Sequence, residues 1–319
     1  MKINKIIFMG TPQFAVPALQ QLTEKGYKPL LCVTQPDKPQ GRKRRLTAPV
    51  IKQRALELSI PVIQPENIND QETLEFIKEL NPDLIITAAY GGYIGRTLRK
   101  LPKLGAINIH PSLLPLWRGA SPVNASLWTG DQETGVTIFR LVAKMDAGPM
   151  LYQSIYTIKE EDNYTKLLEK LAIAGAEDLI KLIHQFENGE VKKRIQDESK
   201  ATICWKLNKE DFHINWAEKA RYIYNQVRAL AEKPGASTEF RNKQLKIIST
   251  RLTGKKSNIT PGTIIEVIKS SGILVATGDE DLLIKYLQPA GKKIMYAYDF
   301  NLGARIENGE RFGETNGSE

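Results

Sequence analysis

An apolar run at residues 3–9 (Ile-Asn-Lys-Ile-Ile-Phe-Met) stops at Gly10-Thr11-Pro12, after which Phe14, Ala15, Ala18, Leu19 and Leu22 recur at helical spacing as far as Gly26. A second apolar run follows at 29–34. Strand, tight turn, helix and strand within so short a span make a βαβ unit, whose strands are parallel because the helix carries the chain back across the sheet. Further apolar runs at 60–63, 84–89 and 106–109 alternate with helical patterns at 49–58, 70–80 and 121–129. The pattern predicts an α/β fold, a Rossmann-like open, mostly parallel sheet. Ligands of such sheets bind beyond the carboxyl ends of the strands, which directs attention to 10–12, 34–45, 88–95 and 108–115.

A long amphipathic stretch from 164 to 186, ending at Asn188-Gly189, closes this part of the chain as a helix, and the charged segment that follows reads as a linker. The texture then changes. After one helical segment (217–230), short strand-like runs at 244–250, 262–268, 272–277 and 282–287 are punctuated by Gly and Asn, as in a small β-barrel or sandwich, of which a smaller β-barrel (OB-like) is the one expected. The expected organisation is a catalytic domain over 1–189, a linker over 190–205 and a β-barrel domain over 206–319.

Charge separates the two parts. The net charge is +9 overall, +3 over residues 1–190 and +7 over 201–295, a distribution that suits a large anionic partner better than a small neutral one. Cys32 and Cys204 are the two cysteines, too far apart and too few for a disulfide framework or a zinc site. No stretch approaches 18 consecutive apolar residues and the N-terminus lacks a signal-peptide pattern, so no membrane association and a cytoplasmic location are expected.

The segment Gly105-Ala106-Ile107-Asn108-Ile109-His110-Pro111 holds the candidate chemistry. Asn108 and His110 stand two apart at a strand end, so a hydrogen-bond donor and a titratable ring project to one face. A catalytic imidazole needs a carboxylate to orient it, and Asp146, in the turn Lys144-Met145-Asp146-Ala147-Gly148-Pro149, is the candidate. Taken alone, such an aspartate is more often a turn residue. No Ser or Cys sits in a nucleophile elbow, which speaks against a covalent enzyme intermediate.

The Asn108-x-His110 pair with Ser112-Leu113-Leu114-Pro115, the downstream Asp146 and the opening Phe8-Met9-Gly10-Thr11-Pro12-Gln13-Phe14 resemble the formyltransferases that use 10-formyltetrahydrofolate. The resemblance extends through 34–42, Trp117-Arg118-Gly119-Ala120 and Leu287-Gln288-Pro289-Ala290-Gly291-Lys292-Lys293, and the 34–45 loop and the C-terminal domain narrow it to those acting on methionyl-tRNA. The resemblance implies direct attack of the methionine α-amine of initiator Met-tRNA on the formyl carbon. Asn108 and His110 would stabilise the oxyanion, with Asp146 behind the imidazole. It further implies 10-formyltetrahydrofolate as co-substrate and no metal; a monomer is expected.

Ser112, Leu113, Leu114 and Pro115, with Tyr90, Gly91, Gly92 and Ile94, are expected at the folate pocket. The basic run Arg42, Lys43, Arg44 and Arg45 is expected on the tRNA, with Arg42 reaching the acceptor stem and the C-terminal domain adding phosphate contacts through residues such as Lys243, Lys246, Arg251, Lys255 and Lys256. A superfamily motif specifies the formyl donor rather than the acceptor, so an amino-sugar nucleotide or another small amine is the competing acceptor.

Overall fold

In the computed structural model, which describes residues 2–41 and 44–313, the chain opens with β1 (Ile6–Gly10), α1 (Val16–Glu24) and β2 (Leu31–Val33), the βαβ unit of the sequence pattern. There follow a hairpin of β3 (Lys38–Gln40) and β4 (Arg45–Thr47), then α2 (Val50–Glu57), β5 (Val62–Ile63), α3 (Gln71–Glu79), β6 (Leu84–Ala88), α4 (Arg96–Lys100) and β7 (Ala106–His110). After β8 (Arg118–Gly119) and α5 (Pro122–Thr129) come β9 (Glu133–Arg140), β10 (Met150–Thr157), α6 (Tyr164–Asn188) and β11 (Ile203–Cys204).

Seven of these strands form one sheet in the order β10-β9-β7-β6-β1-β2-β5. The five from β7 to β5 are mutually parallel, while β9 and β10 are antiparallel to their neighbours. β1, β2 and β6 are buried along their whole length, which is why they read as unbroken apolar runs rather than alternating ones. Ile7, Met9, Leu31, Val33 and Ile85 of the sheet pack with Ile77 of α3 and Leu98 of α4. Each such side chain contributes roughly 1.5–3 kcal/mol on burial. The start of α3 is set by Asp70, whose carboxylate accepts the Thr73 N–H at 2.7 Å. The chain runs outward from β1 to β2 and β5 and then returns to place β6 on the other flank of β1. That reversal makes the carboxyl ends of β1 and β6 the natural ligand crevice.

Residues 190–204 are tied into this first unit. Met150 and Arg194 exchange backbone hydrogen bonds of 2.8 and 2.9 Å, Thr202 Oγ1 accepts the Trp117 N–H at 2.8 Å, and β11 pairs in parallel with β8. The polar composition that reads as a linker is here spent on hydrogen bonds.

The second unit comprises 123–132, 158–167 and the chain from 205 onward. Its elements are α7 (Ala220–Leu230), β12 (Ala236–Phe240), β13 (Lys243–Leu252), β14 (Ile264–Ile268), β15 (Gly272–Ala276), β16 (Asp281–Pro289), β17 (Met295–Tyr296) and α8 (Ala297–Ala304). The strands form an antiparallel sheet in the order β12-β13-β16-β15-β14, with β17 added to β16. Ile223, Val227 and Leu230 line the buried stripe of α7 at helical spacing. Trp216 stacks on Phe312, and its indole N–H donates to Thr238 at 3.0 Å.

Both cysteines are buried. Burial pushes the Cys32 thiol up to about 12 and raises that of Cys204 as well. At pH 8 the thiolate fraction of Cys32 is then on the order of 10⁻⁴. Iodoacetamide at pH 8 is expected to alkylate neither residue in the native protein and both in urea, read by intact mass; native-state labelling of either would contradict this packing.

Candidate active site

β7 presents Asn108 and His110 on one face, two residues apart. The His110 ring is 4% exposed, and its Nε2 lies 3.0 Å from the Trp117 carbonyl oxygen. A carbonyl can only accept, so Nε2 carries a hydrogen and Nδ1 is the variable position. Nδ1 faces Asp146 Oδ2 at 3.8 Å, and the Phe139 ring lies edge-on to the imidazole at 6.3 Å. The Thr87 hydroxyl lies 2.7 Å from Asn108 Oδ1. Donation by that hydroxyl leaves the Asn108 amide nitrogen as the group available to a ligand.

Asp146 sits in the β9–β10 connection with φ +50°, a left-handed conformation that Asp and Asn tolerate better than most side chains. Its Oδ2 accepts the Gly119 N–H at 2.8 Å. The turn is tight: a Cβ on Gly148 would come within 1.7 Å of the Arg140 carbonyl oxygen. The carbonyls of Asp146 and Gly148 accept from Gln196 Nε2 at 2.8 and 2.7 Å. Gln196 Oε1 in turn accepts from Arg118 Nε and Nη2 at 3.1 and 2.8 Å. Arg118 also makes two hydrogen bonds to Glu198, at 3.1 and 2.9 Å. Hydrogen bonds from Arg118 and Lys144 lower the Glu198 carboxyl to about 2.

The structure places Asp146 Oδ2 3.8 Å from His110 Nδ1, with Asn108 two residues before His110 on the same strand. The expected folate residues divide into three groups. Gly91 and Gly92 are exposed, and Gly91, at φ +83°, has open space where a side chain would stand. Tyr90 and Ile94 are buried in the core with Met9 and Val33, so their side chains support the 88–95 loop from beneath. Ser112 is fully buried with its hydroxyl donating to the Leu116 carbonyl at 2.6 Å, and Leu114 packs on Phe139 and Met150. Leu113 and Pro115 are half-buried. The backbone of Ser112 and Leu114 is itself engaged inside the protein, the Ser112 carbonyl accepting from Thr137 at 2.7 Å and the Leu114 N–H donating to Thr137 at 3.1 Å.

In the basic segment, Arg42 and Lys43 lie outside the described residues. Arg44 and Arg45 are exposed where the chain enters β4. The base of this hairpin is anchored by Asp37, whose carboxylate accepts from Gln64 at 2.7 Å and from Lys52 at 2.9 Å, holding it below the usual carboxylate range. Lys243, Arg251, Lys255 and Lys256 are exposed, whereas Lys246 donates to the Pro234 carbonyl. Sequence reasoning missed Gln196 and the Trp117 carbonyl; the second is a backbone group, and the first is a side chain whose partners are two backbone carbonyls and a guanidinium distant in sequence, so neither leaves a residue-type signal. Among the described residues no cluster of three or more His, Cys, Asp or Glu is placed to hold a metal ion.

A family model for formyl transferase matches residues 4–183, and one for the formyl transferase C-terminal domain matches 206–305. The chain is 42% identical over 315 residues to the methionyl-tRNA formyltransferase of Bacillus subtilis, covering 98% of this chain and 99% of that protein. It is 43% identical over 317 residues to that of Halalkalibacterium halodurans, covering 98% of this chain and all of the relative. Among solved structures, an N-formyltransferase from Helicobacter canadensis, with folinic acid and dTDP-3-aminofucose, aligns at TM-score 0.64 and 18% identity, covering 90% of this chain and all of that one. HypX from Aquifex aeolicus, with tetrahydrofolic acid, aligns at TM-score 0.62 and 16% identity; 94% of this chain is covered, and it spans 47% of HypX. At these identities the structural likenesses show the fold alone.

Gly148→Ala is expected to destabilise the protein by about 1–3 kcal/mol, the range for forced overpacking. Gly303→Ala, in α8 with nothing within 4 Å of the added methyl, serves as the neutral control. Urea midpoints compare the two, and equal midpoints would show that the 146–148 turn is not close-packed.

Proposed function

Because this chain belongs to the methionyl-tRNA formyltransferase family, we propose that it transfers the formyl group of 10-formyltetrahydrofolate to the α-amine of methionine on initiator Met-tRNA. The observation that carries the reading to particular atoms is the juxtaposition of the Asn108 amide with a His110 ring whose Nδ1 faces the Asp146 carboxylate.

A neutral His110, with its hydrogen on Nε2, directs a lone pair at a carboxylate oxygen 3.8 Å away. The carboxylate stands where it can orient the ring and face a proton carried on Nδ1. Nδ1 therefore takes the proton lost by the attacking amine, while Asn108 Nδ2 donates to the oxygen that becomes an oxyanion as the new N–C bond forms. The imidazolium formed beside Asp146 adds positive charge near that oxyanion. When the carbonyl re-forms and the bond from the formyl carbon to the folate nitrogen breaks, His110 returns the proton to that nitrogen. No covalent bond to the protein is needed.

The exposed backbone of Gly91–Gly92 and the chain around Leu113 and Pro115 fit a flat polar ring held by main-chain groups, and they would hold the folate. Arg42 to Arg45 would contact the tRNA acceptor arm, with Arg44 and Arg45 exposed as phosphate contacts require. Action as a monomer is part of this proposal. The proposed setting is the cytoplasm, where charged tRNA is found; among the described residues no helix is long and apolar enough to cross a membrane.

Radiolabelled formyl is expected to pass from 10-formyltetrahydrofolate to charged initiator Met-tRNA and neither to uncharged tRNA nor to an amino-sugar nucleotide; transfer to the sugar alone would replace the acceptor. Asn108→Ala should lower kcat by about 10²–10³, the loss typical of one oxyanion donor, with tRNA affinity unchanged. Replacing Arg44 and Arg45 together by Ala should weaken tRNA binding and reduce the slope of log Kd against log salt by about 2. An unchanged slope would remove the hairpin from the tRNA path.

A further inference from the structure

Gln196 is 4% exposed, and each side of its amide is used twice. The nitrogen grips the carbonyls on either side of the Asp146–Gly148 turn. The oxygen grips the guanidinium of Arg118, itself 3% exposed. Arg118 is the residue before Gly119, whose N–H holds Asp146 Oδ2 at 2.8 Å. One side chain thus fixes both halves of the carboxylate's cradle: the turn that carries Asp146 and the strand that supplies its hydrogen-bond donor.

The turn needs such a restraint. Asp146 has φ +50°, an unfavourable region for a non-glycine residue, and the 3.8 Å approach to His110 is too long to be a hydrogen bond that would hold itself. Neither Glu198 nor Lys144 can substitute. Glu198 binds the other edge of the Arg118 guanidinium, and Lys144, at the start of the turn, reaches Glu198 at 2.6 Å between two exposed side chains, whereas the hydrogen bonds to the Asp146 and Gly148 carbonyls come from Gln196.

We propose that Gln196 is a positioning residue for formyl transfer, holding the Asp146 carboxylate in register with His110 Nδ1. This rests on the reading of Asp146 given above. A displacement on the order of 1 Å at a reacting centre costs as much as 10²-fold in rate. Gln196→Glu preserves the acceptor for Arg118 but removes both donors to the turn; Gln196→Leu removes everything except bulk.

The test is a double-mutant cycle on the full chain, measuring kcat and KM for both substrates, with thermal unfolding as a check on folding. Gln196→Glu is expected to lower kcat about 10- to 100-fold with both KM values within about 2-fold. In an Asp146→Asn background, where the left-handed turn is kept and the charge lost, the same change should cost less than about 2-fold, because coupled residues are non-additive. Gln196→Leu should repeat this pattern. A wild-type kcat in Gln196→Glu, or additive losses in the cycle, overturns the proposal alone. Full activity in Asp146→Asn overturns the underlying reading of the site. If neither Gln196 variant folds, Gln196 is a structural strut and the proposal fails.

Discussion

A titratable ring and a carboxylate can be withdrawn from water together only where hydrogen bonds replace the lost hydration. At His110 and Asp146 those replacements are almost all backbone groups: the Trp117 carbonyl for the ring, the Gly119 N–H for the carboxylate. Backbone groups are fixed by fold rather than by rotamer choice, so the site inherits the rigidity of the sheet. β7 carries the ring, β8 carries the donor, and the β9–β10 connection carries the carboxylate. The order β9-β7-β6-β1 therefore bears on chemistry as well as on packing.

How much of this is written in the residues follows from the kind of signal each feature leaves. Runs and periods specify β1, α1, β6 and β7, because burial of both faces of a parallel strand demands uninterrupted apolar sequence. The i, i+2 spacing places Asn108 beside His110 without further information. Apolar pattern fails at the next level of detail. Tyr90, Ile94 and Leu114 satisfy a pocket lining and a buried support equally well, and the structure makes them support. The hairpin of β3 and β4 is likewise silent, since Lys38-Pro39-Gln40 paired with Arg45-Leu46-Thr47 shows neither alternation nor β-rich composition. Gln196 is the extreme case. A glutamine in a charged stretch reads as solvated surface, and nothing in residue type announces that its partners are two carbonyls and a buried guanidinium.

The second unit is legible for a different reason. Short runs separated by Gly and Asn indicate antiparallel strands and turns whatever their exact pairing, and β13 to β16 fall where those runs stand. β12 and β17 are not revealed by those runs: Ala236-Ser237-Thr238-Glu239-Phe240 begins with small and polar side chains, and β17 is two residues long.

The large sheet has two free margins, and they are built unequally. β5 is only two residues long and offers little to a passing chain. β10 is eight residues long, with Ile155 67% exposed, and would be a template for unwanted strand pairing between molecules. Its first residue is already engaged by Arg194, and Lys181 and Lys170 lie over the rings of Tyr152 and Tyr156 at 5.9 and 5.5 Å. A second strand docking there would have to strip water from those ammonium groups. The same segment that binds the carbonyls of the Asp146–Gly148 turn thus also begins the cover that keeps one molecule's sheet from extending into the next.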